Sequence, residues 1–270
     1  MKTSKLLAIP YIVWILIFTI VPLALVVYFA LTDAEGNLTL QNLFDMSGYM
    51  SVLFRSIWYA IVATVICLVL AFPAAYIISR ATAFNQSSLI ILVMVPMWIS
   101  FLLRTYAWMT LLEPNGLINK FFGLLGMGPF NLINNSGAVI LGMVYNYLPF
   151  MILPLYSVMA KIENHTIEAA QDLGCNKMTL VRRVILPLST PGISTGIVSV
   201  FVPSVSTFVI SQKLGGGTHD LIGNIIEMQF LGSSYNPNLG SALSLVLMVI
   251  VLFMMSLFNQ FGTEEEAGII

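Results

Sequence analysis

The chain has 270 residues, of which 58% are hydrophobic and 9% charged, with a net charge of −1. A soluble domain carries about 25% charged residues, so this composition excludes a water-covered globular fold and marks an integral membrane protein bathed in lipid. The near-neutral balance argues against a nucleic-acid partner.

Lys2 and Lys5 precede an apolar run over residues 6–31. It is too long for a signal-peptide core of roughly 7–15 residues, so a retained first span is expected. Pro10 and Pro22 should bend it, because proline removes a backbone donor. Residues 33–55 are polar and acidic and read as an external loop. The second run, 56–79, closes with Arg80, and Pro73 should kink it near its inner end. A short inner turn at 81–88 leads to the third run, 89–112, which holds Pro96, Trp98, Arg104, Tyr106 and Trp108. Glu113-Pro114-Asn115-Gly116 stops it, and the segment to Ser136 mixes Gly, Asn and Pro with apolar residues, as expected of chain lying against the membrane surface. The fourth run, 137–160, contains Pro149 and Pro154. A polar island comes next at 161–191, then a fifth run at 192–210, an external stretch at 213–239 and a last run at 240–261 before Glu264-Glu265-Glu266.

Runs of this length cross a hydrocarbon core of about 30 Å as helices. The expected architecture is all-α, one membrane domain over 1–270 with about six spans. Lys2, Lys5, Arg80, Lys161, Lys177, Arg182 and Arg183 fall on one side; Arg55, Lys120 and Lys213 fall on the other. The basic side is cytoplasmic, which places both termini there; acidic residues contribute little to this rule. Cys67 and Cys175 fall on different segments, so a disulfide is not expected, and no metal-ligand spacing exists.

The island at 161–191 is the one long polar segment between two apolar runs. Thr166 is placed to cap a helix whose first turn carries Glu168, and Glu168 with Asp172 suits a positive helix N-terminus. Gly174 offers a C-cap, and a second short amphipathic segment should stop at Pro187. Physics alone leaves two short cytoplasmic helices joined at a glycine, with no statement of what they touch.

Glu168-Ala169-Ala170, then Gly174, then Val184-Ile185-Leu186-Pro187 resembles the "EAA" loop of bacterial ABC importer permeases. The spacing matches throughout; Val184 stands where isoleucine is usual. The resemblance implies the type I importer permease fold (MetI-like), with this loop as the coupling helix that docks on an ATPase. Glu168, Ala169, Ala170, Asp172, Gly174, Leu186 and Pro187 would then carry the coupling. Three further stretches resemble permeases of the spermidine/putrescine system, first-subunit type. These are Arg104-Thr105-Tyr106-Ala107-Trp108, Pro114-Asn115-Gly116-Leu117-Ile118-Asn119, and Ile222-Gly223-Asn224 followed by Gln229-Phe230. This second resemblance implies a plasma-membrane subunit of a polyamine importer. Its partners would be two copies of the ATPase, a second related permease and an extracytoplasmic solute-binding protein. Permeases for other small solutes share pieces of these stretches, so another solute stays open, as does a stand-alone secondary carrier.

Other motifs are weaker. Gly215-Gly216-Gly217-Thr218-His219 lacks the Lys-Ser/Thr of a phosphate loop, so no ATPase site or cofactor is expected in this chain, and ATP belongs to the partner. Gly192-Ile193-Ser194-Thr195-Gly196 has the form of a nucleophile elbow but not the preceding strand; small residues that let membrane helices approach explain it better. Counted from Leu89 at about 1.5 Å per residue, Arg104 lies roughly 22 Å along its span. Two readings stand: a gate or pathway residue paired with Glu113 or with an acid on the partner subunit, or an arginine reaching the outer interface beside Trp108. Tyr106, Trp108 and Glu113 join it as pathway candidates, since aromatic faces and carboxylates attract cations.

Overall fold

The structure, a computed structural model, describes residues 9–33, 35–232 and 234–263. Lys2, Lys5 and the acidic tail lie outside the described residues. Among the described residues every regular element is helical, apart from one isolated antiparallel bridge between Thr32 and Leu38. Four helical stretches are long and apolar enough to cross a bilayer: Pro10–Ala30, Gln41–Ser79, Ser136–Met159 and Pro237–Phe258. Two sharply bent pairs, Ala83–Trp98 with Phe101–Leu124 and Lys177–Leu188 with Thr190–Ser206, raise the number to six if each is one span.

The chain divides into two compact units, the smaller formed by Met1–Val52 and Ile225–Leu252. In it, α1 (Ile9–Ile15) and α2 (Val21–Ala30) are joined by a π-helical turn, Leu16–Ile20. Pro10–Ala30 forms one helical stretch, and the π turn accommodates Pro22 within it. The proline ring would clash with the carbonyl four residues back, at Phe18, and the wider π turn contains that residue. The carbonyls ending α2 are orphaned by helix geometry and are taken by two side-chain amides. Asn42 donates to Ala30 O and Thr32 O (3.2 and 2.8 Å), and Asn238 donates to Phe29 O and Thr32 O (3.2 and 2.6 Å). The loop beyond is a tight turn in which Asp33 accepts from the backbone N–H groups of Asn37 and Glu35. Those bonds hold its carboxyl below the usual range, the Asn37 backbone contribution being the largest. A short helix, α3 (Gln41–Asp45), and a 3₁₀ turn, Met46–Tyr49, lead into α4 (Met50–Ser79).

The larger unit comprises Leu53–Asn224 and Phe253–Ile270. Its central element is α8 (Ser136–Met159), in which Val139, Met143, Met151, Leu155 and Met159 are wholly buried. α4 presents a stripe of small residues at four-residue spacing: Ala63, Cys67, Ala71 and Ala75, all without exposure. Such a stripe lets backbones approach, and the Cys67 thiol reaches the α8 carbonyl of Val144 at 3.8 Å. On another side lies α12 (Thr190–Ser206), whose Gly192 and Gly196 face α8. A Cβ at Gly192 would stand 3.0 Å from Pro154 O and 3.2 Å from Leu155 Cα, and one at Gly196 would stand 2.5 Å from Met151 Sδ. The two glycines of the elbow-like motif therefore make a helix contact, and Ser194 between them is buried.

Three expected runs differ from what folds, the second because α4 begins at Met50 rather than at 56. The third is not one straight helix: α5 (Ala83–Trp98) breaks at Ile99 and Ser100, and α6 (Phe101–Leu112) with α7 (Leu117–Leu124) departs at 86°. Pro96 cannot donate to the carbonyl of Leu92, and Ile99 and Ser100 then adopt ψ near 139° and 133°. The fifth run ends at Ser206 rather than 210. After extended Thr207 the chain starts a separate short helix, α13 (Val209–Leu214).

Candidate functional site: the polar loop and the bent third span

Loop 161–191 is built from four short pieces. α9 (Asn164–Asp172) begins at Asn164, with Glu163 in the N-cap position and no side-chain cap, so Thr166 lies inside the helix and does not cap it. Consequently Glu168 lies beyond the first turn and Asp172 is the last helical residue. The negative end of the helix dipole disfavours an acid there, the reverse of the expectation from sequence. At the other end the expectation of a glycine stop stands. Gly174 has φ +82°, the Cys175 N–H donates to Ala170 O (3.1 Å) and the Gly174 N–H donates to Gln171 O (2.8 Å). That pair of bonds is a Schellman motif, which closes orphan carbonyls with a left-handed residue.

Asn176 caps α10 (Lys177–Leu180) by accepting from the Thr179 N–H at 2.8 Å. A second π-helical turn, Val181–Ile185, precedes α11 (Leu186–Leu188). Pro187 lies within α11 and does not stop the helix. The same device seen at Pro22 recurs, with the clashing carbonyl position, Arg183, inside the π turn. The change of direction comes after it, where Lys177–Leu188 meets Thr190–Ser206 at 69°.

The loop has a clear inner and outer face. Ile167, Leu180 and Ile185 are buried and Ala170 is half-buried. Outward stand Glu168, Ala169, Asp172, Arg182 and Arg183, with Leu173 86% and Met178 76% exposed. Two nearly bare apolar side chains thus stand among charges of both signs, a composition common at protein–protein contacts. A groove of 370 Å³ lined by Met178, Thr179, Arg182 and Arg183 opens beside them.

One residue that sequence reasoning treated only as an inner charge holds this loop. Arg80, just past α4, donates to Met159 O (2.6 Å), Ile162 O (3.0 Å) and Asn164 Oδ1 (2.8 Å). Beside it Gln86 donates to Ser79 O and Ala81 O, each at 3.0 Å, and accepts from the Tyr156 hydroxyl at 3.2 Å. The ends of α4, α5 and α8 and the start of α9 are thereby tied together.

The pathway candidates all belong to the bent part of the third span. Because α6 leaves α5 almost at a right angle, a depth of 22 Å for Arg104 counted along a straight helix does not hold. Arg104 is half-buried; its Nε and Nη1 are buried and take no hydrogen-bond partner among the described residues. No ion pair joins it to Glu113 among the described residues. Tyr106 is 41% exposed and carries the Lys213 ammonium 5.4 Å from its ring centroid. Trp108 instead packs edge-on against Tyr145, at 5.3 Å between rings. Glu113 is exposed, and its backbone carbonyl accepts from Gly116 N–H and Asn119 Nδ2. Tyr106 and Trp108 thus have different partners, and no ion pair joins Arg104 to Glu113 among the described residues.

Two of the family-like stretches prove to be folding devices. Asn119 is buried and bonds Phe130 in both directions, at 2.9 Å each way, closing the loop after α7. Asn224 accepts from Ser211 Oγ and Leu221 N–H and donates to Phe208 O, organising the segment between α13 and α14 (Ile222–Leu231). The glycines beside them, Gly116 and Gly223, face backbone carbonyls at 2.5–2.6 Å from any added Cβ.

An all-helical chain with up to six apolar spans, and a polar loop set between two of them, has the outline of a multi-pass membrane protein. The chain belongs to the family of binding-protein-dependent transport system inner membrane components, matching it over residues 82–261. It is 36% identical over 255 residues to the spermidine/putrescine transport system permease protein PotB of Haemophilus influenzae, covering 89% of this chain and 88% of that protein. To the protein of the same name in Escherichia coli K12 it is 32% identical over 255 residues, covering 91% and 92%. Among solved structures it resembles a chain of a bacterial ABC transporter involved in the import of the acidic polysaccharide alginate. The TM-score is 0.77 at 18% identity, over 97% of this chain and 96% of that one. A chain of the inward-facing MetNI methionine ABC transporter gives 0.58 at 15% identity, over 80% and 95%. These likenesses make it a multi-pass inner-membrane permease of the MetI-like fold.

Proposed function

We propose that the chain is the membrane-spanning permease subunit of an ATP-driven importer for polyamines of the spermidine/putrescine class. Loop 161–191 is its docking surface for a separate ATPase. The observation that carries this reading is the outer face of α9 and α10, with bare Leu173 and Met178 among Glu168, Asp172, Arg182 and Arg183. Asp172 costs local stability at the end of α9, which is understandable if the acid serves a partner. The relatives named for spermidine and putrescine support the cargo.

In this reading both termini and the loop are cytoplasmic. The chain holds no nucleotide, and ATP is bound by two copies of the ATPase. A second related permease completes the pathway, and an extracytoplasmic binding protein delivers the solute. Closure of the ATPase dimer displaces α9, whose Ala169 and Ala170 permit close approach and whose Gly174 fixes the turn; Leu186 and Pro187 carry the displacement into α12. Tyr106, Trp108 and Glu113 are then the candidates to meet the cationic cargo, whereas Arg104, of like charge, serves as a gate or pathway residue.

The test is co-purification of the chain in mild detergent from its host, with and without Glu168→Arg. An ATPase and a second permease accompanying the normal chain, with the ATPase lost from the variant, is the expected outcome. A chain that purifies alone and moves spermidine in vesicles without ATP would overturn it.

A further inference from the structure

We infer that Arg80 is the positioning residue that makes the docking helix α9 and the ends of α4 and α8 move as one body. The inference deepens the coupling role proposed above and rests on it.

The covalent link between α8 and α9 is short, with α8 ending at Met159 and α9 beginning at Asn164. Ala160, the C-cap of α8, is still helical, but Glu163 has ψ 144°, so the chain turns sharply within this link. A turn of this kind is a hinge, because a few backbone dihedrals can absorb a displacement of α9 without moving α8. The three acceptors of Arg80 bracket it: Met159 O before the turn, Ile162 O within it and Asn164 Oδ1 after it. One planar guanidinium with donors in fixed directions fastens all three at once, which a lysine ammonium cannot reproduce. Bonds from a charged donor are also roughly twice as strong as neutral ones.

The other end of the fastening is α4. Arg80 comes directly after Ser79, and its own N–H donates to Tyr76 O and Ile77 O, so the side chain is anchored on the last turn of that helix. Its guanidinium carbon lies 5.8 Å from the Tyr76 ring centroid, a second hold on the same helix. Gln86 and Tyr156 close a parallel route from α5 to α8. A push on the outer face of α9 therefore reaches α4 through Arg80 instead of being dissipated at the hinge. Arg80 lies off the outer face of the loop, so its loss should spare docking and impair transmission.

The experiment uses the full transporter in proteoliposomes with solute-loaded binding protein, comparing the normal chain with Arg80→Met, Arg80→Lys and Asn164→Ala. The readouts are the ATPase retained per permease, ATP hydrolysed, and solute imported per ATP. Arg80→Met should keep the ATPase and go on hydrolysing ATP, while solute per ATP falls by about fivefold or more, the order expected for lost charge-assisted bonds. Arg80→Lys keeps the orienting charge, so a similar fall with normal insertion separates geometry from membrane topology. Asn164→Ala removes one bond of the three and should fall by about twofold. If Arg80→Met does not assemble, the other two variants decide the matter. Unchanged solute per ATP in both, or loss of the ATPase from assembled Arg80→Lys, overturns the inference. A normal chain that carries no ATPase would instead sink the coupling reading itself.

Discussion

Gly174 offers a sharp test of the docking loop, because space and backbone strain are separable there. Its φ is +82°, and no heavy atom lies within 4 Å of an added Cβ. Gly174→Ala therefore meets no steric obstacle, and its whole cost is the left-handed conformation, about 1–2 kcal/mol for an L-residue. If that energy goes into opening the Schellman turn, the intact turn is disfavoured by a factor of about 5–30. Asparagine tolerates the left-handed region, so Gly174→Asn should cost only a fraction of this. The assay is solute imported per ATP hydrolysed in proteoliposomes, beside ATPase retention in detergent. Alanine should lower both, valine should lower them further because β-branching resists positive φ, and asparagine should lie near the normal chain. If alanine equals glycine, or asparagine is as poor as valine, the turn is not what positions the docking face.

Gly192→Val should destabilise the permease by about 1–3 kcal/mol, because the new Cβ meets the α8 backbone at Pro154 and Leu155; thermal unfolding in detergent reads it. Gly196→Ala should cost less, since the flexible end of Met151 can yield. Asn224→Leu strands the Leu221 N–H, at about 1–3 kcal/mol for a buried group left unsatisfied, while Ser211 Oγ and Phe208 O keep their bond to each other. The segment around 207–221 should then become protease-sensitive, and resistance equal to the normal chain would contradict the role of that amide. Lys213→Met removes a tethered ammonium from the Tyr106 face, a contact worth about 0.5–1 kcal/mol. If Tyr106 meets cationic cargo, the uptake KM should fall by about two- to fivefold; an unchanged KM would remove Tyr106 from the pathway.

The apolar runs and the glycine stop of α9 were legible because each depends on local residue type: length of hydrocarbon side chain, or freedom at positive φ. The right-angled break after α5 was only half legible. Pro96 announced a lost hydrogen bond, but whether a helix kinks or turns through 86° depends on what the freed carbonyls and the next residues pack against. The start of α9 was misplaced for a related reason. Thr166 has a capping side chain, yet Asn164 is bonded by Arg80 from another helix, and that tertiary contact accompanies the earlier start. Arg80 itself could be seen as a charge but not as a clamp, since two of its three acceptors are backbone carbonyls, which no residue letter marks. Asn119 and Asn224 lay inside stretches already noted for their resemblance. Their signal was a buried amide beside a glycine in irregular chain, a pattern that points to loop closure before it points to cargo.

The π turn at Val181–Ile185 has a consequence for how such loops can be exchanged or redesigned. Ordinary helix advances by about 100° of azimuth per residue, and a π turn accommodates one residue beyond that winding. Everything on the loop side is therefore phased against α12 by a single amino acid. Winding the same five residues as ordinary α-helix would rotate Glu168, Leu173 and Met178 by about 100° around the axis while leaving every local cap intact. A transplanted loop that copied the exposed residues but straightened this winding would present the right chemistry in the wrong direction. Val181–Ile185 acts as the keyway that sets the angle at which the lock faces its key.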